Sequence, residues 1–114
     1  MAEKQQNHVS RKAATKAGVL LSASDKLDAA SLATAQTWRV QHLEPTARCF
    51  EALTQCAKHF EGAVVSYRLK RMTSILRKLQ RRNSNFELGA LNDIGGCRLI
   101  VGSVREVYEA AKIL

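Results

Sequence analysis

The sequence predicts a mixed α/β chain of the α+β kind: helices first, then the first half of a mixed β-sheet domain. Three observations lead there. Apolar residues recur at helical spacing before residue 62 and again from Met72 to Leu79. Two short apolar runs, Val64-Val65 and Leu99-Ile100-Val101, bracket that second helical stretch and carry the β-branched residues that suit strands. Gly95-Gly96 and Asn83-Ser84-Asn85 supply turn-forming breaks between them.

Residues 1–24 are polar and lysine-rich, with Val9 and Val19 to Leu21 as their apolar anchors. They are expected to form a flexible leader, with room for a short helix around 10–21. Residues 25–62 form a helical segment. Ser24 with Asp25 suits an N-cap, and Leu27, Ala30, Leu32 and Ala35 carry a helix to about His42. Trp38 falls on it as a packing residue. Pro45 breaks the chain at Leu43-Glu44 and fits the first turn of the next helix. That helix has Phe50, Leu53, Ala57 and Phe60 on its core face and ends near Gly62.

Residues 63–114 begin the sheet domain. The Val64-Val65 strand continues through Tyr67 and Arg68 into a helix over about 71–82. Phe86 to Leu91 form a short turn or helix, and Cys97 to Val101 the clearest strand. Ser103 with Glu106 makes a capping box for a last helix. Its core face is Val104, Val107, Tyr108, Ala111 and Leu114, so Tyr108 is expected inside. Two strands do not hold a sheet alone, and this helix reaches Leu114 without a Gly or polar cap. The sequence therefore reads as the leading portion of a domain.

The chain has 114 residues, enough for one small domain. With 46% hydrophobic and 25% charged residues it has a globular composition. Its net charge is +8, and seven basic residues fall between 66 and 82: Arg68, Lys70, Arg71, Arg77, Lys78, Arg81 and Arg82. No acid interrupts them. A local excess of that size points to an anionic partner: a nucleotide, a nucleic acid or an anionic membrane surface. No apolar run approaches the ~18 residues of a membrane span, and Val19-Leu20-Leu21 is too short for a secretory h-region, with no clear small-residue cleavage site after it, so a cytoplasmic location is expected. Three cysteines, an odd number, fit a reducing compartment. Cys49 and Cys56 lie seven apart on one helix, about 10 Å along its axis and beyond disulfide reach. They read as small core residues. Adding His59 gives a conceivable zinc set, but the spacing matches no standard knuckle.

The basic stretch has internal order. Lys70, Ser74 and Lys78 are spaced by four, and each such step turns a helix by about 40° and rises about 6 Å. They form one winding stripe roughly opposite Met72, Ile75, Leu76 and Leu79. Thr73 and Ser74 fall in the first turn, where free N–H groups and the positive helix end favour an anion. Asp93 follows, just before the Gly-Gly turn. Cations gathered near one carboxylate suit a polyphosphate carried with Mg²⁺.

The pattern Arg68-x-Lys70-x-x-x-Ser74-Ile75-x-x-Lys78-Leu79, followed by Asp93-Ile94-Gly95-Gly96-Cys97-Arg98, resembles the synthetase domain of the RelA/SpoT family. Lys16-Ala17-Gly18, Trp38-Arg39, His42 and Pro45 also resemble the leader of its stand-alone members. The resemblance implies a nucleotidyltransferase-like sheet and an ATP:nucleotide pyrophosphokinase that makes the alarmones ppGpp and pppGpp. It implies that Arg68 holds the ATP base or its phosphates, that Lys70, Ser74 and Lys78 bind the phosphates, and that Asp93 is the catalytic residue and ligates Mg²⁺. Arg98 matches the family's strand arginine. The family's acceptor pocket, with its stacking tyrosine and a second metal-binding glutamate, has no counterpart in these residues. The acceptor, whether GDP or GTP, another nucleotide or the tRNA 3′ end, stays open. So does activity of these residues alone.

Each residue also has a plainer role. Lys70 and Lys78 serve as solvated lysines, Ser74 as a helix-start residue, and Asp93 as a turn cap before Gly95-Gly96. Two other functions compete with the enzyme: a basic nucleic-acid-binding module, and a non-catalytic remnant that regulates or pairs with a full-length relative. The basic stretch lacks interleaved aromatics beyond Tyr67 and carries no helix-turn-helix or RNA-binding signature. Self-association is expected if the last strand's free edge stays uncovered.

Overall fold

The computed structural model describes residues 8–23, 28–81 and 87–114. It is a mixed α+β structure whose elements run α1 (Arg11–Ser22), α2 (Ala29–Val40), α3 (Leu43–Ala57), β1 (Val64–Leu69), α4 (Met72–Leu79), a 3₁₀ turn (Leu88–Ala90), β2 (Gly95–Ile100) and α5 (Val104–Ile113). The chain folds as two units that alternate along the sequence. The first takes Met1–His42 and Lys70–Ile94, the second Leu43–Leu69 and Gly95–Leu114.

In the first unit the short helix allowed around residues 10–21 is present as α1, and the flexible-leader reading is corrected over residues 11–22. Ser10 caps α1, its hydroxyl accepting from the Ala13 N–H at 3.0 Å. Ala14, Ala17, Gly18 and Leu21 are buried on one face, at offsets of 3, 4 and 7 from Ala14, the spacing of one helix face. Ala14 and Leu21 join Ala35, Ile75, Leu79, Leu88 and Ile94 in the core, with Leu32, Trp38, Met72 and Leu76 packed around them. Gly89 lets the 3₁₀ turn lie against α1: a Cβ there would meet the Arg11 carbonyl oxygen at 2.6 Å. The Gly89 N–H donates to the Thr15 hydroxyl at 3.1 Å. Ser24, Asp25 and Leu27 lie outside the described residues. The cap of α2 is Asp28, whose carboxylate accepts from the Ser31 N–H and hydroxyl at 2.9 and 2.8 Å. The Gln41 side chain holds the entry to α1 by donating to the Val9 carbonyl at 2.9 Å and accepting from its N–H.

In the second unit β1 and β2 pair antiparallel, from Val64 opposite Ile100 to Leu69 opposite Gly95. A mixed sheet is expected from the sequence, but this antiparallel pair is the sheet among the described residues. The Gly95-Gly96 turn is a further correction, because both glycines lie inside β2. The reason is contact: a Cβ on Gly95 would run into the buried Thr46 hydroxyl of α3. Cys56, Phe60 and Ala110 form the core, with Ala63, Leu99 and Val101 against it. Ser103 caps α5 by accepting from the Glu106 N–H at 3.2 Å, while Glu106 accepts from the Gly102 N–H at 2.9 Å. The expected core face of α5 is not covered. Val104 is 70% and Tyr108 68% exposed, with Val107 and Leu114 also open. The α5 residue buried instead is Ala110.

Candidate functional site

Lys70 and Asp93 are 23 residues apart and are brought together by backbone pairing. The Lys70 N–H donates to the Ile94 carbonyl at 2.6 Å, which sets Asp93 diagonally beside Lys70. The Lys70 carbonyl accepts from Arg39 Nε at 2.7 Å, so both polar groups of its peptide backbone are fixed. From this anchored position Lys70 Nζ reaches Asp93 Oδ2 at 2.7 Å. Lys78, in the last turn of α4, reaches the same oxygen at 3.3 Å. Neither ammonium is an ordinary solvent lysine, for their side chains are only 17% and 22% exposed.

The hydrogen bond from Lys70 holds the Asp93 carboxyl below its ordinary value. Partial burial opposes this, and Lys78 reinforces it. Asp93 Oδ1 is buried and has no hydrogen-bond partner among the described residues. Asp93 is therefore not a turn cap before Gly95-Gly96, and its charge is committed to the two lysines.

Ser74, Arg77 and Arg81 join Lys70 and Lys78 around a hollow of about 210 Å³. Helix α4 is shorter than the 71–82 expected, and Lys70 lies before its cap Arg71, so Lys70 does not ride on the helix with Ser74 and Lys78. Met72, Thr73 and Ser74 form the first turn, which leaves their N–H groups without helical partners. Ser74, Arg77, Lys78 and Arg81 are spaced 3, 4 and 7 along one face, a signal that marks Arg77 and Arg81 as well as the expected residues. Arg82 lies outside the described residues.

Arg68 and Arg98 belong to the second unit. With Ser66 opposite Arg98 and Arg68 opposite Gly96, they lie on the same face of the β-pair. They line a separate hollow of about 280 Å³ together with Tyr67 and Cys97. Both arginines are exposed. Gly96 has open space where a Cβ would stand, which leaves bare backbone beside Arg68.

Arg39 is the positioning residue that sequence reasoning does not assign. Its contact is to a backbone carbonyl 31 residues away, which leaves no side-chain pattern to read. Among the described residues no group of three or more His, Cys, Asp or Glu is placed to hold a metal, so Cys49, Cys56 and His59 form no such centre. Nor, among these residues, is any helix long and apolar enough to cross a membrane. No protein-family model matches the chain, and no curated protein matches it.

Proposed function

We propose that the first unit binds the polyphosphate of ATP, and that the chain carries the donor half of a RelA/SpoT-like nucleotide pyrophosphokinase with a nucleotidyltransferase-like fold. The observation that carries this is the convergence of Lys70 and Lys78 on Asp93 at the edge of a hollow also lined by Ser74, Arg77 and Arg81. An adventitious charge run would spread its lysines into solvent. Two largely buried ammoniums, with hydroxyl and guanidinium donors beside them, instead match the negative charge of a di- or triphosphate.

Phosphoryl transfer asks the protein mainly for positioning and charge stabilisation. Lys70 and Lys78 neutralise phosphate oxygens, Ser74 and the first-turn N–H groups of α4 donate to them, and Arg77 and Arg81 guard the rim. The orphaned Oδ1 makes Asp93 a fitting partner for a metal shared with phosphate, though not for one held by protein alone. Asp93 would hold Mg²⁺, which when bound supplies charge neutralisation at the β- and γ-phosphates. On the resemblance alone, Arg68 would hold an ATP base or its phosphates, and Arg98 corresponds to the family's strand arginine, with its role open. The reaction is transfer of the β,γ-pyrophosphate to a 3′-hydroxyl, in a cytoplasmic setting, with the acceptor's identity open.

Calorimetry with ATP, with and without Mg²⁺, tests the reading. The expected result is binding that strengthens with Mg²⁺ and loses that gain in Asp93→Asn. Absence of heat at millimolar nucleotide, from folded protein, would overturn it. Binding of nucleic acid that is salt-sensitive and unchanged by Asp93→Asn would favour a phosphate-backbone binder instead.

A further inference from the structure

Three cysteines are present, and the pair that matters is not the one on a single helix. Cys97 lies on β2, on the strand face turned to α3, and its thiol donates to the Thr46 carbonyl at 3.2 Å. A helical carbonyl points along the axis toward the residue four ahead. The Cys97 sulfur therefore rests over the turn that starts at Thr46, and Cys49 sits in that turn, three residues on and on the same side. The two thiols are neighbours. The backbones are close at this point because Gly95, two residues before Cys97, has no Cβ to hold β2 off Thr46. Cys49 is exposed, Cys97 half-buried and Cys56 buried in the core.

We propose that Cys49 and Cys97 are a redox-modification site, in which peroxide joins them as an intramolecular disulfide between α3 and β2. The Cys49 sulfur, open to solvent, attacks one peroxide oxygen. The S–O bond forms, the O–O bond breaks, and the leaving hydroxide takes the Cys49 thiol proton to become water. Cys49 is then a sulfenic acid, oxidised by two electrons as the peroxide is reduced. The Cys97 sulfur attacks it, the S–S bond forms, and the hydroxyl leaves with the Cys97 proton as a second water. Two thiols and one peroxide thus give one disulfide and two waters. Partial burial, and then the Cys49 thiol beside it, push the Cys97 thiol up. Cys97 keeps its proton and acts as the resolving sulfur, while the first contact with oxidant falls to Cys49. The site stands independently of the polyphosphate reading.

The test is peroxide treatment of the reduced full chain, followed by thiol counting in denaturant and non-reducing tryptic peptide mapping. Cys49 and Cys56 share the tryptic peptide 49–58, and Cys97 lies in 83–98, so tandem fragmentation must place the link. The expected result is loss of two thiols of three, a 49–97 link within one chain, and full recovery with dithiothreitol. In Cys97→Ser the oxidation should stop at a Cys49 sulfenic acid that dimedone traps. A link to Cys56, a link between chains, or oxidation of Cys49 with no link to Cys97 would overturn the proposal. The map of the unaltered chain decides this even if a variant fails to fold.

Discussion

At the scale of single residues, Asp93 is the hinge of the candidate site, and its titration has a definite sign. Its folded pKa lies below the ordinary 3.8, chiefly because Lys70 bonds the charged form. The stability from this pairing is fully present above pH 3.8 and is lost as pH falls below it, through the lowered folded value. Asp93→Asn should melt lower than the unaltered chain at neutral pH, and the two curves should converge as pH falls below 3.8 through the lowered folded value. A gap independent of pH in thermal melts would show that the carboxylate's charge plays no part. Lys78→Ala removes one of the two ammoniums and should weaken ATP binding by ~1.5–3 kcal/mol, roughly ten- to hundred-fold by calorimetry. Unchanged affinity would place the phosphates elsewhere. The four-residue spacing of Lys70, Ser74 and Lys78 was legible in the sequence. The grip of two lysines on Asp93 was not, since it depends on a backbone hydrogen bond to Ile94 that no side-chain pattern encodes.

Among the elements, the sequence reading does best where periodicity is strong and worst where glycine sets a contact. Helix α4 follows from Met72, Ile75 and Leu79, and β1 from its β-branched start. Helix α1 was only faintly legible, as a short helix around 10–21, because its buried face uses Ala14, Ala17 and Gly18, residues too small to announce a core. Gly95 and Gly96 mark a turn by composition, yet they serve a strand pressed on Thr46. Gly89 works the same way against α1. Gly89→Ala would drive a methyl into the Arg11 carbonyl, and backbone cannot swing aside as a side chain can. Overpacking of this kind costs about 1–3 kcal/mol. The urea midpoint should fall accordingly with the slope unchanged. No fall would mean that the turn and α1 part without cost.

For the whole molecule, the two units have unequal cover. The first encloses Leu21, Ile75, Leu88 and Ile94, each almost without exposed surface. The second buries few large apolar side chains. It leaves Val104, Val107, Tyr108 and Leu114 open on α5, and Val64 opposite Ile100 open on the β-pair. Solitary exposed apolar residues are ordinary, but several on one helix are not. Full burial of each larger side chain is worth roughly 1.5–3 kcal/mol, comparable in sum with a domain's net stability of about 5–15 kcal/mol. Among the described residues the two strands also leave unpaired edges that template pairing with another chain. The purified chain should therefore associate as its concentration rises, and light scattering should show it. Tyr108→Lys with Val104→Lys should reduce the association without lowering the melting midpoint, because neither side chain is packed. Association that survives both lysines would move the contact to the strand edge, and a monomer at high concentration would show that this apolar surface is tolerated in water.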